Sequence, residues 1–298
     1  MVYSLTNDEL SLQFKALGGE MSSIKDKDGI EYLWQGDSTY WSGQAPVLFP
    51  ICGSLRDNQT VYGNNAAGIK QGSMPRHGLV RKEVFQLESQ TDSEIIFALT
   101  SSEDMYQKFP YRFTLRAIYH LIGKTIRVTY EVTNLEEQAT MPFTIGAHPA
   151  FNCPLFANET YEDYYLSFEK AEDESIPKVF ADTGLIDLEE RTPFFKGDTR
   201  LDLTYDLFKD DTLLLDRLAS KTISLCSDKH SKGLVINLLD FPFLVLWSTS
   251  NKGPFIALEP WLGLSTLTNE SNYFEDKINT QFLAPQQAKR YAYELRVL

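Results

Sequence analysis

The stretch from Tyr111 to Leu135 constrains the fold more than any other. In "YRFTLRAIYHL" the side chains of Tyr111, Phe113, Leu115, Ala117, Tyr119 and Leu121 recur at every second position, with Arg112, Thr114, Arg116 and His120 on the opposite parity. A period of two marks a strand with one buried face. Gly123-Lys124 then reads as a turn, and Ile126, Val128, Tyr130 and Val132 resume the alternation in "TIRVTYEVTNL". The two runs predict a β-hairpin. "MPFTIGAH" reads as the next strand and delivers His148 to its end.

The same grammar recurs along the chain. "ELSLQFKALGGEMSSIKDKDGIEYLW" holds short strands punctuated by Gly18-Gly19 and Asp28-Gly29. "FPFLVLWSTSNKGPFIALEP" reads as two apolar strands around an Asn-Lys-Gly-Pro turn. Tyr291, Tyr293, Leu295 and Val297 alternate near the C-terminus. Helix is scarce: "SSEDMYQKF", with Ser102 as cap, is a short candidate. "TYDLFKDDTLLLDRL" fits a helical turn or a strand. No linker or fixed-period repeat interrupts the 298 residues. The expected fold is mainly β: residues 1–298 as one domain, a large antiparallel β-sandwich of two sheets packed face to face, with few short helices. All-β sandwiches and barrels reach this size as single units.

Charge narrows the partners. Forty-one acidic against 28 basic residues give a formal net charge of −13, with no Lys/Arg block. That field repels nucleic-acid phosphates and anionic membranes, so neither is expected as a partner. A local pocket can still be basic and hold a small anion. The N-terminal "MVYSLTNDEL" has no basic or apolar leader region, and no run of about 18 apolar residues exists. Cys52, Cys153 and Cys226 are odd in number and far apart, which fits free thiols in a reducing compartment. A cytoplasmic location is expected. His77, His120, His148 and His230 are scattered and no Cys-x-x-Cys pair occurs, so a structural zinc site is not expected. Monomer and homodimer both stay open.

Four fragments place polar residues where a β core does not need them: "FPICGSLRDN" with Arg56, "GSMPRHGLVR" with His77 and Arg81, "GAHPAFN" with His148 and Asn152, and "IALEPWLG" with Glu259 and Trp261. Each also has a structural reading. A strand-end histidine is often a satisfied packing residue, and a strand-end glutamate is usually a rim charge. Arg56 could close a turn, and Arg76 or Arg81 could form a surface ion pair of little energy. Against this, Glu259 follows "PFIAL", which looks buried on both faces. A desolvated carboxylate there has a raised pKa and suits a general base. His148 follows "PFTIGA" and titrates near neutrality. A base and an acid on neighbouring strands, with arginine and a second histidine as donors, would transfer protons to and from oxygen. Trp261 and Phe151 could stack on a sugar face.

These fragments, in this order, resemble the aldose 1-epimerase family, also called galactose mutarotase-like proteins, and in particular its LacX-type branch. The resemblance runs from "LGGEMSSIKDKDGIEYLWQGDSTYWSGQAPVLFPICGSLRDN" through "MPRHGLVR" and "TIGAHPAFNCP" to "ALEPWLG". It implies an antiparallel β-supersandwich with a ligand cleft on a concave side. It also implies interconversion of the α and β anomers of an aldose, with no nucleotide, metal or redox cofactor. By fragment matching, Glu259 is the base that takes the O1 proton and His148 the acid that protonates the ring oxygen. His77 and Arg56 match the family's substrate-holding histidine and arginine. Asp211, in "FKDDTLLL", is the candidate for its substrate-binding aspartate, with Asp206 and Asp210 as alternatives. "HGLVR" is nearer to the hexose-6-phosphate branch than to the galactose-specific one, so Arg81 with Arg56 or Arg76 could grip a phosphate. Asn152 matches a family asparagine but equally suits a turn. Two other classes remain beside a mutarotase: a non-catalytic sugar-binding or sugar-sensing protein on this scaffold, and a glycoside hydrolase pairing Glu259 with an aspartate.

Overall fold

A computed structural model describes residues 2–63 and 68–298. Its largest element is a nine-stranded sheet, antiparallel throughout. In spatial order its strands are Asp198–Asp202, Tyr164–Glu172, Thr222–Ser227, Leu234–Asn237, Ala288–Val297, Thr125–Asn134, Phe113–Ile122, Glu94–Thr100 and Gln86–Gln90. The expected hairpin lies at its centre, with Ala117 opposite Tyr130 and Tyr119 opposite Val128. Ile126, Val128, Tyr130 and Val132 are buried. The other face carries charges that are cross-strand neighbours: Glu131 lies opposite both Arg116 and Arg290 and pairs with each, at 3.1 and 2.6 Å. This division into an apolar face and an ion-paired face is what the period of two encodes.

A second sheet is built of shorter strands: Leu213–Leu215, Phe243–Trp247, Phe255–Trp261, Gly146–Ala147 and Val47–Leu48, with Ala150–Asn152 also paired to Phe255–Trp261. The two sheets share one apolar cluster. It takes Phe113, Val128 and Tyr130 from the first, and Val47, Leu244, Leu246, Ile256 and Leu258 from the second. Phe49 and Phe113 meet edge to face at 4.8 Å across this core. Each such fully buried apolar side chain contributes roughly 1.5–3 kcal/mol. Three further strands, Val2–Thr6, Leu10–Lys15 and Glu20–Asp26, form a separate sheet.

"MPFTIGAH" departs from the single strand expected. Met141–Phe143 pairs with Gln281–Leu283, and Gly146–Ala147 belongs to the second sheet. Between them Thr144 turns its polar groups to a neighbouring loop: its N–H donates to Pro50 O at 2.8 Å and its Oγ1 accepts from Cys52 N at 3.0 Å. The ambiguous "TYDLFKDDTLLLDRL" resolves into a 3-10 turn, Tyr205–Phe208, followed by the strand Leu213–Leu215. The short helix is Glu103–Lys108, capped by Ser102 Oγ accepting from Met105 N at 3.2 Å. Among the described residues no helix is long and apolar enough to cross a membrane.

Candidate active site

The site lies on the face of the second sheet that turns away from the shared core. Every residue of Phe255–Trp261 is buried, so this strand has a covered surface on both sides. Ile256 and Leu258 join the main cluster, whereas Phe255, Ala257 and Trp261 join small separate clusters on the other side. Side chains alternate along a strand, so Glu259 emerges on that second side with Phe255, Ala257 and Trp261. The same alternation sends Leu214, Val245 and Leu48 to this side and Leu213, Leu215, Leu244, Leu246 and Val47 to the core. His148 follows Gly146–Ala147 directly, and its N–H donates to Pro46 O at 3.1 Å. Leu258 N–H donates to Pro149 O at 3.1 Å, so the chain around His148 runs beside Glu259.

Here the side chains enclose a cavity of about 230 Å³. That is below the range of roughly 300–1,000 Å³ usual for drug-sized ligands, and suits a single small ring. Glu259 and His148 meet in its wall, Oε1 to Nε2 at 3.3 Å. Trp261 Nε1–H donates to the other carboxylate oxygen, Oε2, at 3.1 Å. His77 lies edge-on to His148, with ring centroids 5.5 Å apart. Gly53 N–H donates to His77 Nδ1 at 3.2 Å. The neutral ring therefore carries its proton on Nε2, as a donor. Trp247 Nε1–H donates to Asp211 Oδ1 at 3.0 Å, and Arg76 Nη1 stands 3.8 Å from Asp211 Oδ2. Arg76 Nε–H also donates to Ser54 Oγ at 2.9 Å. Two of these residues hold left-handed backbone: His77 at φ 70° and Asp211 at φ 86°. Such conformations cost of order 1–3 kcal/mol each and gather at functional sites.

Burial sets the proton chemistry. It is the largest cause raising the Glu259 carboxyl well above its usual range, with Asp211 adding to it, while the Trp261 N–H and Arg76 act the other way. It is also the largest cause lowering His148, to about 3. His77 is held well below the usual imidazole range by burial, then by His148, Arg81 and Arg76. The 3.3 Å contact suits an ion pair, but burial penalises both charges. Burial therefore favours the uncharged form of the Glu259–His148 pair. Arg81 reaches the same cavity, and among the described residues its guanidinium has no hydrogen-bond or ion-pair partner.

The structure brings His148, Glu259, His77, Asp211, Arg81 and Trp261 to one cavity. Asp206 and Asp210 do not line it; Asp206 faces Lys209 at 3.7 Å on the surface. Arg56 does not line it either. Its guanidinium donates to the carbonyls of Leu267 (2.7 Å), Thr268 (3.2 Å) and Glu270 (3.1 Å) and to Asn272 Oδ1 (2.6 Å), which ties a loop to a turn. Arg76 occupies the cavity position that fragment matching gave to Arg56. Phe151 points into the main core and cannot stack on a ligand. Asn152 Nδ2–H donates to Glu31 O at 2.9 Å, a structural bond. Sequence reasoning passed over Trp41, Ser54 and Trp247, which complete the wall. Among the described residues no group of three or more His, Cys, Asp or Glu is placed to hold a metal ion.

The chain resembles known proteins along its whole length. The family model for aldose 1-epimerase matches residues 1–286. The chromosomal protein LacX of Lactococcus lactis subsp. lactis is 51% identical over 298 residues, covering 100% of both chains, and its plasmid counterpart is equally similar. Two solved structures superpose along the whole chain. A galactose mutarotase related enzyme from Lactobacillus acidophilus gives a TM-score of 0.92 at 27% identity, covering 100% of this chain and 97% of that one. A galactose mutarotase-like protein from Lactobacillus casei gives 0.90 at 29% identity, covering 100% of both. With its antiparallel β-sandwich and these matches along its length, the chain belongs to the aldose 1-epimerase family.

Proposed function

We propose that this protein interconverts the α and β anomers of a hexose, with Glu259 as base and His148 as acid. The observation that carries the reading is the 3.3 Å contact between these two buried groups in the wall of a ring-sized cavity. When a sugar enters, the carboxyl proton moves to His148, leaving Glu259 charged. Glu259 then takes the proton from O1, and His148 gives its proton to the ring oxygen as the bond from C1 to that oxygen breaks. The product is the open-chain aldehyde, with Glu259 protonated and His148 neutral. This is the uncharged form that burial favours. Rotation about C1–C2 presents the other carbonyl face, and closure reverses both transfers. Protons balance at every stage, and the pair gains no net charge.

The remaining wall residues orient the ring. His77 donates from Nε2, while Arg76, Asp211 and Ser54 offer donors and acceptors to hydroxyls. General acid and base terms of about 10²–10⁴ each are enough for a reaction of this kind. A phosphorylated hexose is the second reading, and it rests on Arg81, whose guanidinium faces the cavity without an acceptor. NMR of freshly dissolved α-glucose, α-galactose and their 6-phosphates tests both. Wild-type protein should speed equilibration of at least one, and Glu259→Gln should slow it by about 10²-fold or more. If none of the four equilibrates faster with the wild type than with Glu259→Gln, the proposal fails.

A further inference from the structure

A proton-carrying histidine is commonly aimed by a hydrogen bond to its second ring nitrogen. His148 lacks that device: among the described residues no other residue hydrogen-bonds its Nδ1. Its ring is aimed instead by Glu259 at Nε2 and by two indoles, Trp41 stacked on its face and Trp247 against its edge. Trp247 stands on a strand of the second sheet. Trp41 stands in residues 37–44, which form no strand or helix. Its place must therefore be fixed from outside that loop.

Trp34 does this. Its Nε1–H donates to the Trp41 carbonyl at 2.8 Å. Trp34 is itself fastened on three sides. Its N–H donates to Ala150 O at 2.9 Å, its carbonyl accepts from Gln44 Nε2–H at 3.0 Å, and its ring packs on Phe255 with centroids 4.8 Å apart. It thus joins the strand that carries Glu259, the segment that follows His148 and the loop that carries Trp41. Trp34 is 5% exposed and does not line the cavity, so it touches no ligand. Gly43 leaves room for the indole: a Cβ there would fall 2.3 Å from Trp41 Cζ2. We propose that Trp34 is a positioning residue for the acid, its N–H holding Trp41 flat on His148 and so aiming that imidazole at Glu259. The role in catalysis rests on the mutarotase reading; the placement of the rings does not. The charged and titratable groups that face His148 are Glu259, His77 and Arg81. None lies near Trp34 in the chain, so a change there reaches the imidazole through Trp41 and not through charge.

The test is a double-mutant cycle. Trp34→Phe deletes the N–H and keeps an aromatic ring on Phe255; Trp34→Tyr fills more of the same space and is the second variant. Either should lower kcat about fivefold, the worth of one hydrogen bond, with KM within about twofold. The acid limb of the pH–rate profile should move upward. In a Trp41→Ala background the same change should leave kcat and the acid limb where they are, because the contact it acts through is gone. Its cost in the urea midpoint should persist in both backgrounds, since the backbone acceptor remains. Nitrogen-15 NMR of histidine-labelled protein follows the ring without activity, with the His148 signal identified by its loss in His148→Gln. That signal should begin to titrate at a higher pH in Trp34→Phe than in the wild type. The proposal is overturned if the loss of kcat is the same with and without Trp41, or if folded Trp34→Phe leaves kcat and the His148 signal unchanged. It also falls if neither Trp34 variant folds, which would make Trp34 a core residue alone. If the His148 signal shifts as expected while no sugar equilibrates faster with the wild type, the anomerisation reading fails and the placement stands.

Discussion

His148 lies flat against Trp41, with ring centroids 4.7 Å apart and planes within 23° of each other. Trp247 closes on the same imidazole edge-on, at 5.5 Å. Two effects of Trp41 oppose each other. An indole face attracts a cationic ring, yet the indole also excludes the water that an imidazolium needs. Burial is the largest cause of the low basicity of His148, so exclusion outweighs attraction. Trp41→Ala should therefore move the acid limb of the pH–rate profile upward, towards the ordinary imidazole range. It should also lower kcat about tenfold, because the ring loses its support. Trp41→Phe, which keeps an aromatic face, should retain most of both. A variant profile that fell uniformly without shifting would count against this account.

Glu259 connects function to stability. Its carboxyl pKa is raised on folding, so the stability it contributes is fully present below the unfolded value, near 4.3, and is lost as pH rises through the folded value. His148 is depressed and acts in the opposite window: its contribution is present above the usual imidazole range and fades as pH falls towards about 3. It is present in both proteins and largely cancels in a comparison. Glu259→Gln, neutral at every pH, should match the wild type near pH 4 and exceed it by about 1–3 kcal/mol at pH 8. Thermal melts at pH 4, 6 and 8 read this as a gain that widens with pH, while mutarotation is lost.

The central hairpin was legible because one of its faces is wet. Arg116, Glu131 and Arg290 had to alternate with Leu115, Val132 and Tyr291. The second sheet offers no such signal. Phe255–Trp261 is buried on both sides, and Val47–Leu48 and Gly146–Ala147 are strands of two residues held by partners far away in sequence. No local period encodes the approach of His148 to Glu259 across a separation of 111 positions. Resemblance supplied that pairing, and it carried Arg56 to a place where distant carbonyls occupy the guanidinium. Nothing in "STYWSGQ" separates Trp41, a cavity wall, from a surface aromatic.

Gly184 marks how tightly the segment around it closes over the site. It holds φ 70°, and an added Cβ would come within 2.4 Å of Ser54 Oγ and 2.6 Å of Arg76 Nη2. Gly184→Ala should displace the Arg76 guanidinium from Asp211. The expected result is a rise in KM of about tenfold with kcat changed far less, since Glu259 and His148 keep their contact. Steady-state kinetics on the best hexose substrate would show a fall in kcat at constant KM if the segment acted on the proton transfer instead.

Arg56 and Arg76 separate a structural arginine from a ligand-facing one. Removing the Arg56 side chain leaves three carbonyls and the Asn272 side chain without their donor, in a loop-to-turn junction that is partly buried. Charge-assisted bonds to such groups are worth about 1.5–3 kcal/mol. Arg56→Ala should therefore lower the urea midpoint by an amount of that order, while the folded enzyme keeps KM within about threefold. Arg76 has 42% of its side chain exposed, with a 3.8 Å approach to Asp211 and one hydrogen bond to the Ser54 hydroxyl, so its loss should change stability less than that of Arg56. Arg76→Ala should instead raise KM about tenfold, because it removes a planar donor from the cavity wall. The opposite pattern, in which Arg56→Ala abolishes binding at unchanged stability, would return Arg56 to the site and require the loop around Leu267–Asn272 to open when sugar binds.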